Sequence, residues 1–443
     1  MVNNVKGTHD IFDLEANAFT AVEATMANIA AFFGYKEMRT PVIEHSELFV
    51  RGVGESSDIV RKEMYTFLDK GERSLTLRPE FTAGIIRSIV NNKLLLTNEL
   101  PYKVFYCGPL FRYERPQLGR YRQFNQFGVE SVGNPSYIND VEVIILAYTM
   151  LVSLGLENVT IKINTLGDDE SRQNYKKALK EYFAKYIDKM CPDCKSRYEI
   201  NPLRILDCKV PEDQEIVKNA PKMIDYISEN SKTRFEKIKS SLKKLGVPFE
   251  VDNSLVRGLD YYSETVFELH YISSKGNDYG AIGGGGRYDK LVHELGGPDL
   301  PGIGFSFGVE RVVSVLKDDN LLPEDLTNDI DFYVMPMSEE TLLYSLDIAN
   351  TLRFNGLTTD ICMDSCKLSS MFKRAEKKGA KFAVIVGEDE LSNNELIIKD
   401  LSTGEQTKIK KDELDEYIES SFNNNHCHCH EEGHECHCHM EEK

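Results

Sequence analysis

The densest group of side chains that could do chemistry lies in residues 111–124, FRYERPQLGRYRQF. The segment holds four arginines and one glutamate, and it separates two strand-like runs, YKVFYCGPL and FNQFGVESV. Guanidinium groups bind phosphate in a bidentate manner, and the intervening Tyr, Gln and Phe side chains offer surfaces on which a base can stack. The pattern predicts a loop between two strands that binds an anionic ligand, and its alternative interpretation is a solvated hairpin tip.

Further motifs accompany this loop along the chain. LTLRPEFTAGIIRS precedes it at residues 75–88, and RGLDYYSETVFE, GGGGRYDKL and GIGFSFGVERV follow in order at residues 257–268, 283–291 and 302–312. With KGTHDI (6–11), GYKEMRTPVIEHSELF (34–49) and NPLRILDCK (201–209), they resemble class II aminoacyl-tRNA synthetases. RGLDYY followed by TVFE is similar to the histidine-binding stretch of the histidyl-tRNA synthetase family. The resemblance extends from residue 6 to roughly residue 415.

The resemblance implies a histidine-tRNA ligase, which activates L-histidine with ATP to histidyl-adenylate and transfers the histidyl group to tRNA(His). Mg²⁺ is expected beside the ATP phosphates. Because the attacking carboxylate is already a nucleophile, positioning and cationic stabilisation carry the activation step without a general base. By resemblance, Arg112 and Arg257 hold the α-phosphate, and Arg311 contacts the γ-phosphate and stacks near adenine.

The resemblance also implies a histidine pocket with acceptor groups at two separate points. Glu80 and Thr82 match the ammonium-binding positions, and Gln126 lies between the amino and carboxylate groups. The positions that bind or approach the imidazole ring are Glu130, Tyr262 and Tyr288. A pocket that satisfies both ring nitrogens rejects apolar isosteres, because these would leave buried polar groups unpaired. Tyr261 and Phe267 are interpreted as core packing residues.

The tip of the arginine-rich loop resembles the part of the family that meets the tRNA acceptor end. Its candidate contacts are Gln117, Arg120 and Arg122. Three positions depart from the family pattern: Phe81 replaces a common glycine in LRPEGT, Ser263-Glu264 replaces Thr-Gly, and His9 replaces an arginine in GTRD. None of these departures removes a residue assigned to the reaction.

Composition sets bounds on the rest of the chain. The 443 residues exceed one typical domain, and the net charge of -18 makes local basic patches, rather than the whole surface, the candidates for nucleic-acid contact. We find no apolar run of about eighteen residues, no signal-peptide core and no transit-peptide arginine bias. We therefore expect a cytoplasmic protein without a membrane segment.

The apolar periodicity predicts a mixed α+β protein. The resemblance implies that residues 1–325 form a class II catalytic domain, an antiparallel sheet flanked by helices. The charged helical pattern at about 168–245 predicts a helical insertion in this domain. Helices are predicted at 16–33 and 140–154 and near 308, and strands at 38–43 and 159–166. Residues 316–329 are a predicted linker. Alternating strand and helix patterns at 329–422 predict a small α/β domain, which binds the anticodon in the family and is otherwise a generic interaction module.

Ten cysteines without a secretory signal indicate reduced thiols or metal ligands. Cys191, Cys194 and Cys208 are three thiols without an obvious fourth ligand, so the sequence is compatible with a zinc site and with free thiols. Cys362 and Cys366 are interpreted as structural. The tail at 423–443 is expected to be disordered, and its imidazole and thiol side chains suit Zn²⁺, Ni²⁺ or Cu⁺. Its candidate ligands are His426, Cys427, His428, Cys429, His430, His434, Cys436, His437, Cys438 and His439.

Three interpretations of the whole chain remain at this stage. The first is the ligase, a homodimer that packs through the 34–49 motif with Pro41 near its centre. The second is a non-catalytic regulatory paralogue that senses histidine for histidine biosynthesis. Such paralogues lack the anticodon domain and usually lose the arginines, whereas Arg112, Arg257 and Arg311 are all present here. The third is a metal store that acts through the tail, which predicts a dispensable upstream site.

Overall fold

The computed structural model describes residues 2–54, 57–114, 121–208, 210–256, 258–323, 326–364 and 366–422. The chain divides into two compact units, residues 1–324 and 325–443. The first unit begins with α1 (Asp13–Phe32), β1 (Lys36–Glu37), β2 (Ile43–His45), α2 (Ser46–Val53), β3 (Tyr65–Leu68), β4 (Ser74–Leu77), α3 (Thr82–Asn91), α4 (Leu94–Thr97), β5 (Tyr102–Phe111) and β6 (Gln123–Val132). A π-helix, Ile59–Glu63, precedes β3.

The first unit continues through the predicted insertion to the GIGFSFGVERV motif at residues 302–312. Its elements are α5 (Tyr137–Ser153), β7 (Val159–Thr165), α6 (Asp169–Phe183), α7 (Pro192–Ile200), α8 (Pro211–Lys218), α9 (Glu229–Lys244), β8 (Glu250–Val251), β9 (Ser263–Ile272), β10 (Asp278–Tyr288), α10 (Leu291–Glu294), β11 (Gly302–Gly308) and α11 (Val309–Asp318). Short 3₁₀ turns lie at Ile187–Lys189, Pro202–Asp207 and Met223–Asp225.

The main sheet has the strand order β1-β5-β6-β11-β10-β9-β7-β8. Its inner pairs are antiparallel, as the sequence predicts, while the edge pairs β1–β5 and β7–β8 are parallel. Helices α1, α5 and α11 pack on this sheet, and β2, β4 and β3 form a small separate sheet. Strands β5 and β6 pair as a long antiparallel hairpin, so both predicted strands are confirmed. Residues 115–120 of the arginine-rich loop lie outside the described residues.

Two sequence predictions in this unit are wrong in detail. The predicted strand at 38–43 is interrupted: the Met38 amide donates to the Phe105 carbonyl at 2.8 Å, and the chain leaves the main sheet before β2 begins at Ile43. Pro41 lies at this break, where it has no amide hydrogen for a ladder. The predicted linker at 316–329 starts too early, because buried Leu316 belongs to α11.

The second unit has the elements β12 (Phe332–Pro336), α12 (Leu342–Phe354), β13 (Thr359–Ile361), α13 (Leu368–Lys377), β14 (Phe382–Val386), α14 (Glu388–Asn393), β15 (Glu395–Asp400), β16 (Gln406–Lys410) and α15 (Leu414–Phe422). Its sheet has the order β13-β12-β14-β15-β16, parallel across β13, β12 and β14 and antiparallel beyond. Phe332, Val334 and Val384 lie in its buried core beneath α12 and α15. The predicted α/β character of this region is confirmed.

Candidate active site

A buried glutamate on the central hairpin organises the site. Glu130 lies near the end of β6 with 1% of its surface exposed. Its Oε1 accepts hydrogen bonds from Thr82 Oγ1 at 2.7 Å and Tyr106 Oη at 3.0 Å, and its Oε2 accepts one from Tyr288 Oη at 2.7 Å. Three elements, α3, β5 and β10, therefore converge on one carboxyl group. A carboxylate has about four acceptor positions, so one remains for a ligand.

Burial raises the pKa of Glu130 to about 7, although the hydrogen bonds from Tyr288, Thr82 and Tyr106 favour the charged form and lower it. The loss of hydration outweighs these hydrogen bonds, because the low-dielectric surroundings disfavour a charge. Glu130 therefore changes its protonation state close to neutral pH, and it can accept a hydrogen bond from an N–H group when it is charged.

A glycine of the GIGFSFGVERV motif lies opposite Glu130 and leaves room for its carboxyl group. Gly304 on β11 is the register partner of Glu130, and a Cβ atom at Gly304 would lie 1.9 Å from Glu130 Oε2 and 2.3 Å from the Val129 carbonyl oxygen. Because the second of these atoms is backbone, no rotamer change could relieve the contact. The GIGFSFG motif thus has a glycine where the site requires one.

Glu80 provides a second buried acidic group. It precedes α3, its Oε1 accepts a hydrogen bond from the Ala83 amide at 2.9 Å, and its Oε2 is buried without a hydrogen-bond partner among the described residues. Burial raises the pKa of Glu80, while bonds from the Ala83 and Thr82 amides and the charge of Arg112 oppose the increase. A buried carboxylate oxygen without a partner suits an ammonium group, because such an oxygen is costly unless a ligand satisfies it.

A cavity of about 340 Å³ brings these groups together, and every residue predicted for the histidine pocket contributes to its wall. The predicted members are Glu80, Thr82, Gln126, Glu130, Tyr262 and Tyr288. Tyr261 also lines the cavity while it packs in the adjacent core, so its interpretation as a packing residue is incomplete. Tyr106 was missed by the sequence prediction, although it lines this cavity and donates a hydrogen bond to Glu130.

Phe81, which departs from the family pattern, lies in the wall of the same cavity. Its ring stacks on Tyr106 with centroids 4.4 Å apart, and the Arg78 guanidinium carbon lies 3.9 Å from the ring centroid. Phe81 is 2% exposed. The aromatic ring therefore fills space next to a tyrosine that donates to Glu130.

A second cavity of about 310 Å³ adjoins the first, and Arg112, Gln126 and Ser306 line both. Arg112 Nε donates to the Pro79 carbonyl at 2.8 Å, and its guanidinium group lies over the Phe124 ring at 5.4 Å. The arginine at the junction of the two cavities is thus held by a backbone carbonyl and an aromatic face.

The second cavity has a wall of glycine backbone and carries Arg311. Gly283 and Gly284 of β10 line it, and Arg311 Nη1 donates to the Ala281 carbonyl at 2.7 Å. As predicted, Arg311 is on the first turn of the helix that begins after Gly308. A wall without side chains allows a flat ligand to approach the strand closely. The cavity suits a nucleotide whose phosphates meet Arg112 and Arg311.

Acidic groups that the sequence prediction missed also line the second cavity. Glu310 Oε1 accepts from the Asn125 amide at 2.7 Å and from Asn125 Nδ2 at 3.2 Å, whereas its Oε2 is buried without a partner among the described residues. Burial raises the pKa of Glu310 to about 7. Glu114 is a second carboxylate in this wall. Carboxylate oxygens are the donors that Mg²⁺ takes, so the residues present fit this ion.

Several predicted site residues lie outside the described residues, namely Arg257, Gln117, Arg120 and the tail ligands from His426 to His439. The described neighbour of the loop tip, Arg122, lies with its guanidinium carbon 3.8 Å from the Tyr113 ring centroid, and its amide donates to the Gly7 carbonyl at 2.7 Å. The KGTHDI segment therefore packs against the base of the arginine-rich loop.

The NPLRILDCK stretch contacts the segment that follows Arg257. Arg204 donates to the Gly258 carbonyl and lies 3.4 Å from an Asp260 carboxylate oxygen. Asn201 Nδ2 donates to Asp260 Oδ1 at 3.3 Å. The helical insertion is therefore tied directly to a wall of the first cavity, since Gly258 lines that cavity. Among the described residues, no helix is long and apolar enough to cross a membrane.

Comparisons with known proteins agree with this geometry. The sequence profile of the histidyl-tRNA synthetase family matches residues 7–312, and that of an anticodon binding domain matches residues 331–421. The chain is 47% identical to a histidine-tRNA ligase of Bacillus velezensis over 92% of this chain and 96% of the relative. It is 46% identical to a histidine-tRNA ligase of Thermosipho melanesiensis over 93% of this chain and 97% of the relative.

Solved structures give the same result. Apo histidyl-tRNA synthetase of S. aureus has a TM-score of 0.79 at 36% identity and covers 94% of this chain and 99% of its own. A structure from Bacillus halodurans described as an ATP phosphoribosyltransferase regulatory subunit/histidyl-tRNA synthetase has a TM-score of 0.61 at 21% identity, which shows a shared fold alone; it covers 84% of this chain and 96% of its own. The chain belongs to the histidyl-tRNA synthetase family of class II aminoacyl-tRNA synthetases.

Proposed function

We propose that the chain is a histidine-tRNA ligase that activates L-histidine with ATP and transfers the histidyl group to tRNA(His). The observation that carries this proposal is the pair of adjoining cavities that share Arg112, one closed by buried carboxyl and tyrosine groups and the other walled by glycine backbone. The family relationship and the names of the relatives support the same conclusion.

The first cavity would take histidine. Glu80 Oε2 lacks a partner among the described residues and suits the ammonium group, with Thr82 beside it. Glu130 would accept the N–H of the imidazole ring at its remaining acceptor position. Tyr288 and Tyr106 hold the carboxyl group of Glu130 in place, and Tyr262 would bond the ring from its own position in the wall.

The histidine carboxylate would then point towards the junction, where Gln126 and Arg112 lie. Attack of a carboxylate oxygen on the α-phosphorus forms the histidyl-adenylate P–O bond and breaks the bond to the departing pyrophosphate. Arg112 and Arg257 would stabilise the charge on the α-phosphate, and Arg311 would bind the γ-phosphate and stack near adenine. Mg²⁺ would be held near Glu310 and Glu114, where it would neutralise charge on the phosphates.

In the second step the terminal ribose hydroxyl of the tRNA attacks the histidyl carbonyl carbon, and AMP leaves. Arg122, with Gln117 and Arg120 of the loop tip, is proposed to meet the acceptor end. The second unit, residues 329–422 in our proposed domain division, would bind the anticodon, in line with its anticodon binding domain match.

We propose a homodimer that packs through residues 34–49, because apolar side chains are exposed next to and within this segment. Phe32 is 81% exposed and Ile43 is 48% exposed. We further propose that the tail binds Zn²⁺, Ni²⁺ or Cu⁺ through its thiol and imidazole groups, which are soft or borderline ligands.

Aminoacylation tests the ligase directly. The full chain is incubated with ATP, Mg²⁺, labelled histidine and a tRNA(His) transcript, and label in acid-precipitable RNA is counted. We expect charging by the unaltered chain and a loss of roughly 100-fold or more for Arg112→Gln, since one preorganised cation is worth about that factor. Histidine binding without any charging would favour the second candidate, a histidine-sensing regulatory paralogue, whose fold the Bacillus halodurans structure shares.

A further inference from the structure

Four side chains that could bind a metal converge inside the helical insertion. They are Cys191, Cys194, Cys208 and Asp213, and their ligand atoms all lie within 4.8 Å of one another. Cys194, Cys208 and Asp213 are buried. The fourth ligand is not evident from the sequence, because Asp213 stands on the next helix, α8, outside any cysteine motif. The fold supplies the carboxylate that the spacing could not indicate.

The separations between these atoms fit a tetrahedral zinc centre. Zinc binds thiolate at about 2.3 Å, so two thiolates on one tetrahedral ion lie about 3.8 Å apart. Cys191 Sγ and Cys208 Sγ are 3.9 Å apart, and Cys208 Sγ lies 3.3 Å from Asp213 Oδ2. A disulfide requires an S–S distance of about 2.0 Å and would use only two of the three thiols.

Backbone amides are arranged to support charged sulfur and oxygen ligands. Cys191 is the N-cap of α7, with Pro192 following it, and the Cys194 amide donates to Cys191 Sγ at 3.4 Å. The Cys191 amide donates to Asp213 Oδ2 at 3.1 Å. The amino-terminal end of a helix stabilises negative charge, and amide donors orient metal ligands from outside the coordination sphere.

We propose that the insertion contains a structural zinc site with the ligand set Cys191, Cys194, Cys208 and Asp213. Three thiolates select a soft or borderline ion over Mg²⁺ or Ca²⁺, and four protein ligands fill a tetrahedron and leave no position for a substrate. The ligand set shares no residue with the proposed Mg²⁺ position or with the proposed ligands of the tail, so it does not depend on the proposed function.

A zinc ion at this point would join three short elements of the insertion. Cys191 and Cys194 belong to the start of α7, Cys208 follows the turn Pro202–Asp207, and Asp213 lies in α8. The surrounding core is small and includes Phe183. Small cores of this kind gain stability from metal cross-links.

The cross-linked elements also touch the wall of the histidine cavity. Arg197 of α7 donates to Asp58 Oδ2 at 3.0 Å, next to Ile59, which lines that cavity. Arg204 in the adjoining turn donates to the Gly258 carbonyl. The zinc site would therefore hold the insertion against two segments of the cavity wall. Loss of the zinc would disturb the cavity wall through these contacts.

The zinc content of the full chain tests the proposal. Chain purified under reducing conditions is compared with Cys208→Ser, Asp213→Ala and the control Cys366→Ser by inductively coupled plasma mass spectrometry. All four proteins keep the tail, so its metal cancels in the difference. We expect Cys208→Ser to lose one zinc equivalent, Asp213→Ala to release zinc faster to a chelator, and Cys366→Ser to match the unaltered chain. Equal zinc in Cys208→Ser and the unaltered chain would overturn the site.

Alkylation of the unaltered protein keeps the proposal testable if Cys208→Ser does not fold. Native chain is treated with iodoacetamide before and after chelation, and the labelled cysteines are mapped by peptide mass spectrometry. We expect Cys191, Cys194 and Cys208 to become reactive together upon chelation, while Cys107 on β5 does not change. A zinc site would be contradicted if chelation did not change the labelling of these three cysteines. It would also be contradicted if Cys191 and Cys208 were found in a disulfide.

Discussion

We predict that the buried carboxyl group of Glu130 affects both the free energy of unfolding and the affinity for histidine. Glu130→Gln keeps the volume of the side chain and can keep its contacts, because the amide oxygen accepts from Thr82 and Tyr106 and the amide nitrogen can donate to a rotated Tyr288 hydroxyl. The substitution removes only the charge and its pH dependence. Its effect on the free energy of unfolding should therefore follow the titration of Glu130 itself.

The magnitude follows from the pKa. Burial raises the pKa of Glu130 from its ordinary value of 4.5 to about 7 in the folded state. The folded state thus holds the proton more tightly. The stabilising contribution of this proton is fully present below the pKa of the unfolded state, and it is lost as pH increases through the pKa of the folded state. Between about pH 5 and about pH 8 this group alone costs roughly 2 to 3 kcal/mol. Glutamine at position 130 does not incur this cost.

The assay is urea unfolding followed by circular dichroism, since the chain has no tryptophan. Unaltered chain and Glu130→Gln are compared at about pH 5 and about pH 8, and the difference between the two proteins cancels other carboxyl groups. We expect the variant to gain roughly 2 to 3 kcal/mol relative to the unaltered chain as pH increases across this window. A difference that does not change with pH would refute the assigned environment of Glu130.

The same variant should bind histidine more weakly, because a neutral amide replaces a charged acceptor at the imidazole. A hydrogen bond to a charged group contributes about 1.5 to 3 kcal/mol, so the Kd for histidine should increase roughly 10- to 150-fold. Isothermal titration calorimetry at about pH 8, where Glu130 of the unaltered chain is charged, measures this change. Unchanged affinity would remove Glu130 from the ring-binding role.

Two further predictions concern the site, and a third concerns a hydrogen bond outside it. Gly304→Ala should abolish histidine binding in calorimetry, because the added Cβ atom would lie 1.9 Å from Glu130 Oε2. The control is Gly308→Ala on the same strand, which should bind histidine normally because the nearest atom to its added Cβ is 3.9 Å away. Arg311→Gln should increase the KM for ATP in pyrophosphate exchange and leave the calorimetric Kd for histidine unchanged. The reason is that Arg311 lines the second cavity and does not line the first. A double-mutant cycle of Glu264→Ala with Ser231→Ala should give a coupling of about 1 kcal/mol or more in urea unfolding, because Ser231 Oγ donates to Glu264 Oε1 at 2.7 Å; additive effects would contradict it.

Features with a local physical signal were predictable from the sequence. The β5–β6 hairpin has strand-like runs on both sides of a charged loop, and α5 and α11 have sustained apolar periodicity. The residues predicted for the histidine pocket were named through motif resemblance, since no periodicity indicates that residues 80, 130 and 288 meet in one cavity. Their meeting depends on strand order, which local patterns do not encode.

Groups whose role depends on contacts between distant segments were missed. Tyr106 reaches Glu130 only because β5 pairs with β6, and Asp213 reaches the cysteines only because α8 folds back on α7. Glu310 stands in a recognised motif, but its buried oxygen without a partner among the described residues becomes visible only with the surrounding packing. These contacts depend on the tertiary structure, and a single sequence offers no local signal for them.

One departure from the family pattern has a structural counterpart. Glu264 stands where the family has glycine, and its φ of 49° is in the left-handed region that favours glycine. Its carboxylate accepts hydrogen bonds from Ser231 at 2.7 Å and from Thr165 at 3.3 Å. The chain therefore has a backbone conformation that suits glycine at this position, and side-chain hydrogen bonds hold the glutamate that stands there.

The most direct test of the central claim is ATP–pyrophosphate exchange with purified full chain, Mg²⁺ and each of the twenty amino acids in turn, with Arg257→Ala as the control. The adjoining cavities, with Glu80 and Glu130 in one and Arg311 in the other, predict exchange with histidine alone and its loss in the control. No exchange despite measurable histidine binding would contradict the ligase and leave a histidine-binding regulatory protein in its place.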